Sequence, residues 1–235
     1  MQAQPKRILL KISGEALSSE KGVAYDKSIL LQVAGQIKSA REQGVQVAIV
    51  VGGGNFWRGR QNLDINRSAS DYMGMLATIM NAVCLRETLN SIGVPAIVQT
   101  SITVTPIADP FDPIKANQAL NEGTVVIFGG GTGCPYFSTD TTASLRAAEI
   151  NADALFFAKN VDGIYDKDPK VYGDAKKYES LSYDEFISQN LKAMDSTAVI
   201  MCKENNTPVY VFALLEENSI VNAINGNTNG GSWIK

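Results

Sequence analysis

The sequence predicts an α/β fold, a three-layer α-β-α sandwich with a mostly parallel central sheet. Short apolar runs alternate with segments of helical period along the whole chain, the order that feeds parallel strand pairing. Three of the apolar runs end in glycine-rich loops, the places where open sheets of this class bind ligands. The 235 residues, 45% hydrophobic and 19% charged, suffice for one large core. No composition break, linker, internal repeat or low-complexity segment divides them.

Arg7 to Ile12 reads as the first strand. Ser28 to Gln43 is a helix with Ile29, Leu30, Val33, Ala34 and Ile37 on one face, closed by Gly44 in the C′ position. Val45 to Val51 is a strand buried on at least one face. Ser70 to Ile92 is a long helix opened by Ser70 and Asp71 as capping residues. From Asp71 onward it is apolar on nearly every side, a pattern of core burial or of a subunit interface. Ala96 to Gln99 is a short strand, and Thr100 to Asp112, rich in Thr, Pro and Asp, is a candidate lid. A helix over Pro113 to Asn121, a strand over Thr124 to Phe128, a helix over Asp140 to Asn151 and a strand over Ala154 to Ala158 follow. After a polar loop come a helix over Leu191 to Asn205, a strand over Pro208 to Phe212, a helix over Ser219 to Asn225 and an edge strand over Ser232 to Ile234.

Composition narrows the function. Lys and Arg number 21 against 24 Asp and Glu, a net charge of −3, which disfavours a general nucleic-acid or membrane-surface binder. The chain has no histidine, so Ser-His-Asp triads, Cys-His dyads and His-ligated zinc are excluded. Cys84, Cys134 and Cys202 are far apart and odd in number, which argues for a reducing compartment, the cytoplasm, rather than a disulfide framework. Ile8 to Leu10 is too short for a signal-peptide core, and no apolar run approaches a membrane span.

The glycine loops are Lys11-Ile12-Ser13-Gly14-Glu15, Gly52-Gly53-Gly54-Asn55 leading to Arg58 and Gly59, and Gly129-Gly130-Gly131-Thr132-Gly133 leading to Ser138, Thr139 and Asp140. Glycine lets backbone approach a phosphate and turn N–H groups inward as an anion nest, and a helix opening at Thr139 or Asp140 favours an anion at its N-terminus. One such loop is often only a tight turn. Three at successive strand ends, with Lys11 and Arg58 beside them, point to phosphate binding. Neither GxxxxGK[ST] nor GxGxxG occurs, so this is not a P-loop or a dinucleotide fingerprint. A fourth segment, Lys159 to Pro169, follows a strand. It reads either as a solvated hairpin or as an adenine and ribose site, with Tyr165 offering a flat face and Asp168 a hydroxyl acceptor.

Taken together the motifs resemble the amino acid kinase family, and most closely its bacterial uridylate kinase branch. They are K-I-S-G-E at Lys11 to Glu15, G-G-G-N-x-x-R-G at Gly52 to Gly59, D-Y-M-G-M-L-A-T at Asp71 to Thr78, G-T-G-C-P-Y-F-S-T-D at Gly131 to Asp140, N-V-D-G-I-Y-x-x-D-P at Asn160 to Pro169, and M-D at Met194 and Asp195. The resemblance covers nearly the whole chain. It implies one amino acid kinase domain over 1–235, with an acceptor-binding part over roughly 1–150 and an ATP-binding part over roughly 151–235. It also implies ATP-dependent, magnesium-assisted phosphorylation of UMP to UDP in a homohexamer activated by GTP and inhibited by UTP. The stretch Ser19, Glu20, Lys21, Gly22, Val23, Ala24 matches the position of the family's GTP-response segment. One departure stands out. Cys134 occupies a position where the family carries Asn, and a thiol is a poor hydrogen-bond partner. Base discrimination is then expected to be looser, or to rest on the backbone.

Phosphoryl transfer needs positioning and charge neutralisation more than covalent help. A phosphate monoester, with a second pKa of about 6, is already mostly dianionic at neutral pH and needs no general base. A chain without histidine suits this reaction. On this reading Lys11 bridges the phosphates, Gly14, Gly53 and Gly54 supply N–H donors, and Arg58 clamps a phosphate. Asp140 holds Lys11 or helps position Mg²⁺, its plain alternative being an N-cap. Asp195 orients the same lysine, its plain alternative being a surface carboxylate. Asp71 accepts from the UMP ribose, or caps its helix with Ser70. Thr132, Gly133, Cys134, Pro135, Tyr136, Phe137, Ser138 and Thr139 wrap the uridine. Ser13, Lys159, Asn160, Tyr165 and Asp168 face ATP. A kinase of small carboxylates shares the ionised acceptor, and a non-catalytic nucleotide-binding protein shares the fold. The Asp71 segment and the Gly131 to Asp140 loop favour a nucleotide. The joint presence of Lys11, Arg58 and Asp140 favours catalysis.

Overall fold

The computed structural model describes residues 4–18, 24–57, 64–227 and 230–235. The first strand, β1 (Arg7–Ile12), lies between β2 (Gln46–Val51) and β6 (Ala154–Lys159), parallel to both. Outward from β2 come β5 (Val125–Gly129), β3 (Ala96–Thr100) and the two-residue β4 (Asp109–Pro110), all parallel. On the other side β10 (Val209–Ala213) runs parallel to β6, and β11 (Ser232–Ile234) turns antiparallel to β10. The two-residue β9 (Ser180–Leu181) closes that side, so β11 is an inner strand rather than the edge the sequence suggested. A separate hairpin pairs β7 (Ile164–Tyr165) with β8 (Lys177–Tyr178).

Strand alternation builds the three layers. In β1, Ile8, Leu10 and Ile12 face one core, with α1 (Lys27–Glu42), α2 (Arg67–Ser91) and α7 (Ser219–Ile224). Leu9 faces the other, with α3 (Pro113–Asn121), α4 (Thr139–Glu149), α5 (Tyr183–Ser188) and α6 (Ser196–Glu204). Each fully buried aliphatic side chain contributes about 1.5–3 kcal/mol. Lys11 follows Leu9 by two residues and therefore points to the α4 side. That places a cation at the inner end of a buried strand.

Several boundaries differ from expectation for identifiable reasons. The long helix α2 starts at Arg67, because the Asn66 side chain accepts from the N–H groups of Ser68 and Ala69. Ser70 is buried within its first turn and accepts a 2.9 Å hydrogen bond from the Trp57 indole, so Ser70 and Asp71 are not its caps. The helix expected over Leu191 to Asn205 begins only at Ser196, since Asp195 has extended backbone at the N-cap. The polar stretch before it contains α5, opened by a capping box between Ser182 and Glu185. Thr100 to Asp112, read as a candidate lid, is tethered: β4 pairs with β3 and Phe111 packs edge-on against Phe128 at 5.7 Å.

Candidate active site

Four loops leave the carboxyl ends of β1, β2, β5 and β6 side by side. From β1 the chain steps to one side of the sheet, and later crosses back to place β6 on the other. This change of direction is the topological switch at which open sheets leave a ligand crevice. Lys11 and Lys159 stand at it.

Lys11 is 8% exposed and pairs with Asp140 at 2.8 Å, its ammonium 5.3 Å from the centre of the Phe157 ring. Asp140 is not a helix cap. Ser138 caps α4 by accepting from the Thr141 N–H at 3.1 Å, which leaves the Asp140 carboxylate for the lysine. The Asp195 backbone N–H donates to the same carboxylate. The Asp195 side chain makes no cap hydrogen bond and forms part of a cavity wall, half-buried, so it is not a plain surface carboxylate. The Lys159 ammonium donates to the Ala193 carbonyl. Burial alone would raise the Asp140 pKa, but Lys11 and Lys159 outweigh it and hold the carboxyl below its ordinary range. Burial pushes Lys159 below the ordinary lysine value, with Lys11 adding to that push and Asp140 and Asp195 opposing it. The result is a partly buried cluster of two ammonium and two carboxylate groups, with Lys11 the most enclosed.

The first two glycine loops interlock. A Cβ on Gly14 would lie 2.5 Å from Asn55 Oδ1 and 2.6 Å from the Gly52 carbonyl, and one on Gly53 would lie 2.7 Å from the Gly74 carbonyl. A Cβ on Gly54 would meet Glu15 Oε1 at 2.8 Å. Their glycines serve close backbone contact rather than positive φ. Ser13 caps the short turn Gly14–Leu17 by accepting from the Ala16 N–H at 3.2 Å. Buried Asn81 on α2 donates to the Gly52 carbonyl at 2.6 Å and to Asn55 Oδ1 at 2.8 Å. Asn55 in turn donates to the Ala24 carbonyl at 2.9 Å. Positive φ appears in the third loop, at Gly130, Gly131 and Gly133, and at the non-glycine Tyr136.

Between these loops and α2 lies a cavity of about 350 Å³, lined by Gly53, Gly54, Trp57, Arg67, Asp71, Gly131, Asp140 and Asp195. The Arg67 Nε donates to both carboxylate oxygens of Asp71, at 2.9 and 2.8 Å, and the Tyr136 N–H donates to one of them at 2.8 Å. Asp71 thereby links the start of α2 to the loop before α4. Phe137, Ser138 and Thr139 line the cavity, whereas Thr132, Gly133, Cys134, Pro135 and Tyr136 form the outer limb of the loop. The Thr132 hydroxyl sits 3.2 Å from both the N–H and the carbonyl of Cys134, whose thiol is exposed.

Beyond β6, Asn160 and Asp168 are exposed. Tyr165 lies in the β7–β8 hairpin and its hydroxyl donates to Asp162 at 2.7 Å, with Lys177 at 2.9 Å on the other carboxylate oxygen. Asp168 accepts from the Lys170 N–H at 2.9 Å. Among these, only Lys159 reaches the charged cluster. Arg58 and Ser19 to Val23 lie outside the described residues.

Residues 6–213 match the model of the amino acid kinase family. The chain belongs to the amino acid kinase family. The structure also superposes on the UMP kinase of Ureaplasma parvum at a TM-score of 0.92, with 37% identity over 98% of both chains. It superposes on the UMP kinase of Bacillus anthracis at 0.94, with 36% identity over 98% of this chain and 96% of that one.

For an amino acid kinase, several residues of this site escaped the sequence reading. Arg67 stands four residues before Asp71 on one helix face, a spacing that could have flagged the pair. Thr78 and Asn81 are the polar residues in the apolar middle of α2, Met73 to Leu85, and both are buried against glycine loops. The kinase's donor set also bears on metal. Among the described residues no three Cys, Asp or Glu side chains are grouped to hold an ion. One or two carboxylates beside a phosphate site fit Mg²⁺, which keeps several waters and binds mainly through substrate phosphates.

Proposed function

We propose that this kinase transfers the γ-phosphoryl group of ATP to UMP, forming UDP and ADP. A phosphate oxygen of UMP attacks the γ-phosphorus in line, and the bond from that phosphorus to the bridging oxygen of ADP breaks. The observation that carries the reading is the Lys11–Asp140 pair, whose carboxylate lines a cavity shared with Asp71 and two glycine loops. The site pairs a fixed cation with a nucleotide-sized recess and lacks a histidine base, which a dianionic acceptor does not need. The solved relatives being UMP kinases favours UMP over a small carboxylate.

In this mechanism Lys11 neutralises charge on the transferred group, and Asp140 with Asp195 holds it there. Gly14, Gly53 and Gly54 offer N–H groups to phosphate, and Arg58 clamps one. Asp71 takes the ribose hydroxyls, exchanging part of its contact with Arg67. Gly131 to Thr139 encloses the uracil, with Thr139 donating to the UMP phosphate. Ser13, Lys159, Asn160, Tyr165 and Asp168 face ATP. Thus residues over roughly 1–150 serve the acceptor and those over roughly 151–235 the donor. Magnesium, when bound with ATP, supplies charge neutralisation, and Asp140 is its candidate protein contact.

The same reading includes a homo-oligomer, a hexamer, with GTP and UTP as effectors acting near Ser19 to Ala24. Support comes from α2, whose Tyr72, Met73, Leu76 and Met80 are each 39–50% exposed, an apolar face awaiting a partner. No helix among the described residues is long and apolar enough to cross a membrane, and all three cysteines are free, consistent with a cytoplasmic enzyme. ADP release from Mg·ATP, measured with UMP, CMP, dUMP, acetylglutamate and aspartate in parallel, tests the function. Turnover with UMP is expected. Silence with every nucleotide, with and without GTP, overturns the assignment, and turnover with a carboxylate replaces it.

A further inference from the structure

We propose that Ser101 is a positioning residue for the acceptor site: wired to the buried Arg146, it fixes the glycine turn that carries the acceptor-binding loop. The proposal rests on the reading of the Gly131 to Thr139 loop as the seat of the acceptor nucleotide.

Ser101 directly follows β3, next to the end of β5. Its hydroxyl donates to the Gly131 carbonyl at 2.7 Å and accepts from Arg146 Nη2 at 2.9 Å. Its backbone N–H donates to the Gly129 carbonyl at 3.2 Å. Ser101 backbone atoms also stand 3.1 Å from where a Cβ would sit on Gly130 and on Gly133. One residue therefore braces the whole turn. Three glycines at positive φ give that turn little resistance to rearrangement of their own. The opposite side is held by Thr78, whose hydroxyl accepts from the Gly130 N–H at 2.8 Å.

Arg146 explains why the Ser101 bond is directional. Its side chain is 4% exposed in α4, its guanidinium lies 3.5 Å from the Phe111 ring centre, and its other terminal nitrogen pairs with Glu149. Its Nε makes no hydrogen bond among the described residues. A cation held so deeply can only donate, so it fixes the Ser101 hydroxyl as acceptor on that side and as donor to Gly131. The Gly131 carbonyl is thus turned toward Ser101. In a trans peptide the following N–H, that of Thr132, must then point the other way. Gly131 lines the cavity, so the orientation of this peptide sets the shape of the acceptor wall.

Ser101→Ala removes one hydroxyl and leaves the packing in place. UMP binding is read by Trp57 fluorescence, since its indole lines the cavity, and UMP and ATP are varied separately in the turnover assay. The expected result is a rise of about tenfold in both Kd and KM for UMP, equivalent to about 1.4 kcal/mol. KM for ATP and kcat should move less than twofold, and the melting temperature should fall by no more than a few degrees, because Arg146 Nη2 loses its acceptor while the salt bridge to Glu149 remains. Arg146→Lys in the Ser101→Ala background should add little further loss in UMP binding, because the link is already broken. An unchanged UMP Kd and KM, or an equal rise in both KM values, overturns the proposal. A wild-type protein that neither binds nor phosphorylates UMP overturns instead the acceptor reading beneath it, an outcome visible before any variant is compared.

Discussion

Replacing Asp140 by Asn tests the charged cluster most directly. The side chain keeps its shape and loses its charge, leaving Lys11 and Lys159 together with Asp195 as the nearby carboxylate. The Lys11–Asp140 contact is 2.8 Å, with side-chain exposures of 10% and 16%. At an effective dielectric of about 20, two unit charges that close attract by roughly 6 kcal/mol, much of it offset by the cost of burying them. Removing one partner leaves the other charge buried, and such losses run to about 3–5 kcal/mol. For a chain of this size that is a fall of about 6–20 °C in melting temperature without ligand. Mg·ATP should restore part of it, because bound phosphates supply the missing negative charge. Turnover should not recover in parallel. A Lys11 no longer held against Asp140 stabilises the transition state less, and a misdirected charge donor of this kind costs about 10²–10³ in kcat. Thermal denaturation with and without Mg·ATP, beside steady-state kinetics, reads both effects. A melting temperature within 2 °C of wild type together with kcat within about threefold would show that the pair neither holds the site nor serves the reaction.

Gly53→Ala places a methyl group 2.7 Å from the Gly74 carbonyl and 2.9 Å from the Ala77 Cβ, so the β2 loop must move off α2. Overpacking of this kind costs about 1–3 kcal/mol, read as a denaturant midpoint shift, and activity should fall with it. Asp71→Asn breaks the two-oxygen contact with Arg67 and weakens the tie to Tyr136; KM for UMP should rise about tenfold while KM for ATP holds, measured by varying each substrate in turn. The charged cluster also sets a pH profile. The Asp140 pKa in the folded chain lies below its ordinary 3.8, so its contribution is complete above that pH and is lost as pH falls through the lowered value. The Lys159 pKa lies below its ordinary 10.5, so between the lowered value and 10.5 the unfolded chain binds more protons and stability rises with pH. Urea midpoints across the pH range should show both limbs, and the acid limb should flatten in Asp140→Asn by up to one proton.

Much of the layered fold was legible because it depends on local pattern. The apolar run from Ile8 to Leu10 marks a strand, which the structure buries on both faces, and the helix expected over Pro113 to Asn121 has those bounds. The failures are equally local in origin. Ser70 and Asp71 looked like caps because both residue types cap helices, but Asn66 lies one turn earlier and takes the role. The Ser182–Glu185 capping box opens a helix of only six residues, too short for its apolar period to stand out from the polar loop around it. Of the proposed site residues, Lys11, Asp140, Asp195, Asp71, Gly53, Gly54 and Phe137 to Thr139 do converge on one crevice.

What could not be read is which residues belong together across the sheet. Nothing near Asp140 in sequence distinguishes a capping carboxylate from a lysine partner, since both would follow Ser138 and open a helix. The distinction arises only because Lys11 points from the α4 face of β1, and because β1 sits between β2 and β6. That strand order brings loops separated by more than a hundred residues to one edge. It puts Lys159 from β6 beside a carboxylate that follows β5, although neither strand touches the other. Ser101 and Arg146 are hidden for the same reason: a serine after one strand and an arginine inside a helix acquire meaning only where β3 and α4 meet the turn between them.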